Sequence, residues 1–131
     1  MIYLDSSALV KMVFEEHESV DLEHWLLLNN EPLVTSIIGR VELMRVCRRL
    51  NLDSVAAGRQ LLADLTMMPV TDSVAELAED VSPPGLRSLD AVHLASAIEL
   101  GDDLTGFLVY DKRLRDAAVV AGLPVQTPGA G

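Results

Sequence analysis

The stretch Ile2-Tyr3-Leu4-Asp5-Ser6-Ser7-Ala8-Leu9 opens on three apolar residues, reaches an aspartate and passes into a helical pattern. Phe107-Leu108-Val109-Tyr110-Asp111 repeats that order ahead of Lys112-Arg113-Leu114. A short β-favouring run that stops at an acid and gives way to a helix marks a strand end in an α/β sheet. There the carboxyl ends of parallel strands face one crevice, so acids far apart in sequence meet in space.

The same alternation fills the chain. Leu33-Val34-Thr35 and Met67 to Val70 read as further strands, and Pro124-Val125-Gln126 as a last short one. Helical spacing predicts helices over about 6–14, 19–28, 36–50, 71–81 and 112–121. Another is expected from Asp53, as N-cap, to Leu65, and another around Asp90, introduced by Ser88 and ending near Gly101. The Ser82-Pro83-Pro84-Gly85 break reads as a loop and not a domain boundary. Strands apolar on both faces, alternating with helices, predict a three-layer α/β/α fold with a central parallel sheet. With 131 residues, half of them hydrophobic, the chain suits one core, so residues 1–131 read as one domain with a short flexible tail from about residue 127.

Cys47 is the single cysteine and reads as core packing in a reducing compartment. The first residues do not resemble a signal peptide, and no apolar run approaches the roughly 20 residues of a membrane span. The expectation is a cytoplasmic protein with no membrane partner.

Two more acids join Asp5 and Asp111. Glu42 sits in the helix opened by Ser36, and Asp90 in the first turn after Ser88. Each alone has an ordinary explanation. Asp5 and Asp111 suit helix N-caps, and Asp90 complements a helix dipole. Glu42 could pair with Arg45 for roughly 0.2–0.5 kcal/mol. As a set they point elsewhere: clustered carboxylates repel and resist ionising unless a cation intervenes, and hard oxygen donors select Mg²⁺ or Mn²⁺. His93, one turn after Asp90, reads as a partly buried helix residue and not as a ligand. His17 and His24 have no evident role.

The residues around these acids resemble the PIN-domain ribonucleases, especially the toxin component of VapBC toxin-antitoxin pairs. Ile2-Tyr3-Leu4-Asp5-Ser6-Ser7-Ala8-Leu9-Val10-Lys11 is similar to the family's opening, and Thr35-Ser36 with Val41-Glu42-Leu43 to its second motif. Leu89-Asp90-Ala91-Val92-His93-Leu94-Ala95 resembles the third and Val109-Tyr110-Asp111-Lys112-Arg113-Leu114 the fourth, with Ala121-Gly122-Leu123-Pro124-Val125 closing a likeness that covers essentially the whole chain. The resemblance implies a PIN-like fold, Mg²⁺ or Mn²⁺ bound by Asp5, Glu42, Asp90 and Asp111, and a supporting polar role for Ser6. It implies hydrolysis of RNA to a 5′-phosphate and a 3′-hydroxyl. Asp116 is a further candidate ligand, with a solvated helix face as its alternative. The implied partners are a VapB-like antitoxin and a second copy of the chain, in a homodimer and a toxin-antitoxin hetero-oligomer. Trp25 and the Leu26-Leu27-Leu28 run exceed one buried stripe and are candidates for partner contact, with core packing as the alternative.

A net charge of −10 sits awkwardly with RNA, whose phosphates are gripped by Lys and Arg. Nine of the ten basic residues, all but Arg59, lie within seven positions of one of the four acids. This suggests a cationic rim around an acidic floor, with Arg87, Lys112 and Arg113 as candidate RNA contacts. Two rival readings stay open. A phosphoryl-transfer or receiver-like α/β domain also places Asp at strand ends, with Lys112 as a phosphate-contacting lysine. A non-catalytic PIN-fold binding module is the other.

Overall fold

Alternation along each strand decides which helices cover which side of the sheet. The computed structural model describes residues 1–130. It contains a five-stranded, all-parallel sheet of β1 (Ile2–Leu4), β2 (Leu33–Ser36), β3 (Thr66–Met68), β4 (Gly106–Leu108) and β5 (Val125–Gln126), in the order β3-β2-β1-β4-β5. Ile2 and Leu4 face one side, where they pack with α1 (Ser6–Val13), α2 (Ser19–Leu28), α3 (Ile37–Leu50) and α4 (Val55–Ala63) through Leu9, Leu22, Leu43 and Leu62. Tyr3 points to the other side and packs with Phe107, Leu94 of α6 (Ser88–Glu99) and Leu114 of α7 (Lys112–Val120). The remaining helix, α5 (Asp72–Asp80), lies against α6. Each wholly buried Leu, Ile, Val or Phe contributes about 1.5–3 kcal/mol, and such residues make up much of both cores. Cys47 is sealed in the first core beside them. Among the described residues no helix is long and apolar enough to cross a membrane.

The chain leaves β1 through β2 and β3 on one flank, then returns to β4 on the other. The strand order therefore reverses between β1 and β4, the place where an open α/β sheet forms its crevice. Asp5 follows β1 there, and its N–H donates to the Leu108 carbonyl of β4 (3.2 Å).

Several local expectations are corrected. β4 was expected over Phe107 to Tyr110 and stops at Leu108, because the Tyr110 N–H donates to Ser7 Oγ (2.9 Å) and not to a neighbouring strand. β3 spans Thr66–Met68, not Met67 to Val70, set by its register with Val34, Thr35 and Ser36. Asp53 is not an N-cap. Asn51 accepts its N–H (3.0 Å) and opens a short 3-10 turn over Leu52–Ser54 that leads into α4, an Asx turn in place of the expected cap. Ser88 is the first residue of α6, Arg87 stands at the cap, and no side chain caps that end. Near the end of the described chain the Pro128 carbonyl accepts from the Tyr110 hydroxyl (2.7 Å). Of the proposed partner-contact residues, Trp25 and Leu26 pack against the first core, while Leu27 and Leu28 stay 80% and 71% exposed.

Gly39 fixes how closely α3 approaches the sheet. Ser36 caps this helix, accepting from the N–H groups of Ile38 and Gly39 (3.1 and 3.3 Å). A Cβ on Gly39 would collide with Thr35 Oγ1, whose hydroxyl donates to the Leu4 carbonyl (2.7 Å) across β2 and β1. Gly39→Ala is expected to cost about 1–3 kcal/mol, as overpacking of a fixed core does, and to displace Glu42 one turn on. Urea unfolding checks it. A variant as stable as the wild type would show that α3 has slack at this point.

Candidate active site

The carboxyl ends of β1 and β4, helix α1, the middle of α3 and the first turn of α6 line a cleft of about 670 Å³. Asp5, Glu42, Asp90 and Asp111 all line it, with Ser6, Ser7, Lys11 and Arg87. Four acids widely separated in sequence thus share one cavity.

Capping and cleft-lining turn out to be compatible, because each capping aspartate uses only one oxygen for its helix. Asp5 Oδ1 accepts from the Ala8 N–H (3.0 Å) and from Ser7 Oγ (2.6 Å). No buried side-chain oxygen or nitrogen among the described residues lacks a partner, so Asp5 Oδ2, which takes no hydrogen bond, opens to the cleft. Asp111 Oδ1 accepts from the Leu114 N–H (3.0 Å), and its Oδ2 lies 3.5 Å from Arg87 Nη2. The same guanidinium donates from Nε to Asp90 Oδ2 (3.2 Å). Arg87 thus spans two of the four acids with its own positive charge.

Asp5 is only 2% exposed. Burial pushes its carboxyl up from 3.8 to about 6, opposed by the nearby His93, the Ser7 hydroxyl and the Ala8 N–H, and reinforced by Asp90. A carboxylate whose ionisation the protein itself resists is one that a cation would stabilise. The donor chemistry, hard oxygens from four carboxylates, fits a divalent ion of the Mg²⁺ class. As the side chains stand, no three ligating groups among the described residues gather around a single point.

Glu42 is held by a residue that the sequence did not mark out for the site. His93, read there as partly buried, has no exposed surface; its Nε2 lies 2.6 Å from Glu42 Oε1 and its Nδ1 2.7 Å from the Tyr3 hydroxyl. Burial keeps the Tyr3 phenol protonated by raising its pKa well above the ordinary value. Tyr3 therefore has a proton to donate to Nδ1, which leaves the Nε2–H of His93 to donate to Glu42 Oε1. The available signal was a polar ring between Val92 and Leu94 in an apolar helix, a group that cannot be buried without partners. Ser7 was also missed. It joins the ends of β1 and β4 by donating to Asp5 and accepting from Tyr110. Lys11 pairs with Glu16 and Glu18 (3.3 Å each) at the edge of the cleft and stands 4.8 Å over the Tyr110 ring.

The other candidates lie elsewhere. Asp116 is exposed on α7, 3.7 Å from Arg115, and borders a different groove together with Arg113. Lys112 is exposed and does not line the acidic cleft. Of the three candidate RNA contacts only Arg87 is in the cleft.

His93→Phe preserves an aromatic ring but strands the buried Tyr3 hydroxyl and removes the donor to Glu42. Leaving such groups unpaired costs about 1–3 kcal/mol each. The expected loss, read from urea unfolding, should shrink when Tyr3→Phe is added, because the stranded hydroxyl is then gone. Fully additive losses would mean the two side chains are not coupled.

A family model described as PIN domain matches residues 2–120. The chain is 42% identical to Ribonuclease VapC47 of Mycobacterium tuberculosis, over 99% of this chain and 98% of that protein. It is 43% identical to Ribonuclease VapC46 of the same organism, over 97% of each. Its fold is similar to the crystal structure of M. tuberculosis VapC20, a Sarcin-Ricin loop cleaving toxin (TM-score 0.74, 17% identity, 94% of this chain and 96% of that one). It is also similar to VapBC2 from Rickettsia felis bound to a DNA fragment from their promoter (TM-score 0.71, 14% identity, 97% of this chain and 98% of that one). Family model, whole-length relatives and fold agree: this chain belongs to the PIN-domain family, within its VapC group.

Proposed function

We propose that the chain is a metal-dependent endoribonuclease, a toxin that hydrolyses RNA phosphodiester bonds in the cytoplasm until a cognate VapB-like antitoxin silences it. The observation that carries this reading is the sharing of one cleft by Asp5, Glu42, Asp90 and Asp111, with an oxygen of each capping aspartate left over from its helix. The VapC relatives, named ribonucleases, support the chemistry. Neighbouring folds described as a toxin-antitoxin complex and as VapBC2 support the antitoxin partner; a homodimer of this chain within that hetero-oligomer rests on the family resemblance alone.

In this reading the four carboxylates hold Mg²⁺ or Mn²⁺. When bound, such an ion supplies a more acidic water and positive charge against the phosphate. The chain's own residues do the rest. Ser7 occupies Asp5 Oδ1 and so keeps Oδ2 turned to the cleft. His93 holds Glu42 in place. Arg87, whose side chain is largely exposed, exchanges its carboxylate partners for a substrate phosphate, a bidentate acceptor that suits a guanidinium. Ser6 and Lys11 face the cleft and complete its polar wall. Phosphoryl transfer to an aspartate is the weaker reading, because Lys112, which it needs in the cleft, lies outside it.

Asp5→Asn keeps the cap, since Asn caps as well as Asp, and removes the anion. RNA cleavage with Mn²⁺ and growth inhibition on expression should both fall by more than about a hundredfold, beyond the 10- to 100-fold typical of losing a residue that merely supports a metal ligand. Cleavage at the wild-type rate would sink this assignment.

The shift at Asp5 also has a sign. With its folded pKa raised to about 6 against 3.8, the native state holds more protons than the unfolded state in that window. Stability in chelator therefore falls as pH rises from about 4 to about 6, by on the order of 2–3 kcal/mol. Asp5→Asn should remove that fall, and Mn²⁺ should offset it in the wild type by binding only the native state. Parallel stability-against-pH curves for wild type and variant would show that Asp5 ionises freely.

A further inference from the structure

Helix α3 presents two distinct lined surfaces. Glu42 and Val46 face the acidic cleft, whereas Ile37, Arg40, Val41, Arg45 and Arg48 border a separate groove of about 370 Å³ that Arg59 of α4 completes. All four arginines are exposed, and among the described residues none has a carboxylate within ion-pairing distance. The chain has twenty acids for ten basic residues, so partners were plentiful. Four unpaired guanidinium groups around one groove repel each other, an arrangement that a polyanion would relieve.

We propose that this groove binds the phosphate backbone of RNA and carries the strand away from the acidic cleft along the flank of α3. The proposal rests on the ribonuclease reading. Arg45 lies one helical turn beyond Glu42, and the groove residues of α3, Ile37 to Arg48, run alongside the cleft residues Glu42 and Val46 on the same helix. Arg40 to Arg48 spans about 12 Å at the 1.5 Å rise of a helix, long enough to meet more than one phosphate of a single strand. Ile37 and Val41 give the arginine stems an apolar floor to lie on while the guanidiniums reach outward. Among the described residues no aromatic ring lines the groove, so bases have nothing to stack on, and the grip is on the backbone without sequence readout. Sequence proximity to the acids set Arg59 apart from the other cations; the packing of α4 on α3 returns it to them.

The test is binding of short labelled polyuridylate and polyadenylate to the full chain, in chelator so that cleavage does not intervene. At about 0.1 M salt each single-strand phosphate contact is worth about fivefold in affinity and about 0.7 in the log-log salt slope. Arg48→Gln/Arg59→Gln is therefore expected to weaken both homopolymers about 25-fold and to flatten the slope by about 1.4. Arg115→Gln, whose guanidinium already pairs with Asp116, should change neither. Unchanged affinity and slope in the double variant would overturn the proposal. So would a loss confined to one homopolymer, which means base readout, or a polyglutamate peptide that needs these arginines while RNA does not, which assigns the groove to an acidic protein. Manganese-dependent cleavage and its loss in Asp5→Asn are scored separately. Intact cleavage with arginine-independent binding removes the groove alone, and arginine-dependent binding without cleavage removes the nuclease alone.

Discussion

Asp5 is an acid that the fold buries at the end of its central strand, and much of the surrounding structure answers that cost. An isolated buried carboxylate is among the most expensive groups a protein can hold. Here the first turn of α1 meets it with the Ala8 N–H and Ser7 adds a hydroxyl. Ser7 in turn accepts from Tyr110, which ends β4 at Leu108 and sends the chain into α7. The start of α1 and the chain leaving β4 toward Asp111 thus meet around one side chain. What the protein leaves unanswered is the charge itself, since burial still holds the carboxyl near 6. That residual deficit is what makes the cleft receptive to a cation.

Much of this was legible in the sequence because strand ends and helix starts are written locally. An acid after Ile2-Tyr3-Leu4 or after Phe107-Leu108-Val109-Tyr110 is placed by chain order alone, and parallel topology does the convergence. Glu42 and Asp90 needed the family resemblance, since one turn of helix does not say which way it faces. His93 was misjudged for the same reason: its two partners come from β1 and α3, and neither is near it in sequence. Arg59 was separated from the other arginines because the docking of α4 on α3 is a tertiary fact. Asp53 failed as a cap because Asn51, two residues earlier, reached its N–H first.

The charge distribution is also clearer in three dimensions than along the chain. Windows around the acids gathered nine basic residues, yet only Arg87 and Lys11 stand in the cleft. Both are neutralised by carboxylates at rest, Arg87 by Asp90 and Asp111, Lys11 by Glu16 and Glu18. A cation held by the acids it would later leave is an internal counterion: it moderates their repulsion in the free protein and is already in place when a phosphate arrives.

The hydrogen-bonded line from Tyr3 through His93 to Glu42 has a mechanical meaning. Tyr3 belongs to the core beneath α6 and α7, while Glu42 rides on α3, which packs on the opposite side of the sheet. The line therefore ties the two outer layers together past the end of β1, and Gly39 lets α3 come close enough for it to form. Sliding one layer against the other would break a part-buried hydrogen bond to a carboxylate, and charge-assisted bonds are about twice as strong as neutral ones. The two walls of the cleft thus behave as one clamped frame. Adjustment to a substrate falls to the side chains at its mouth, above all Arg87, and not to the sheet or the helices that carry the acids.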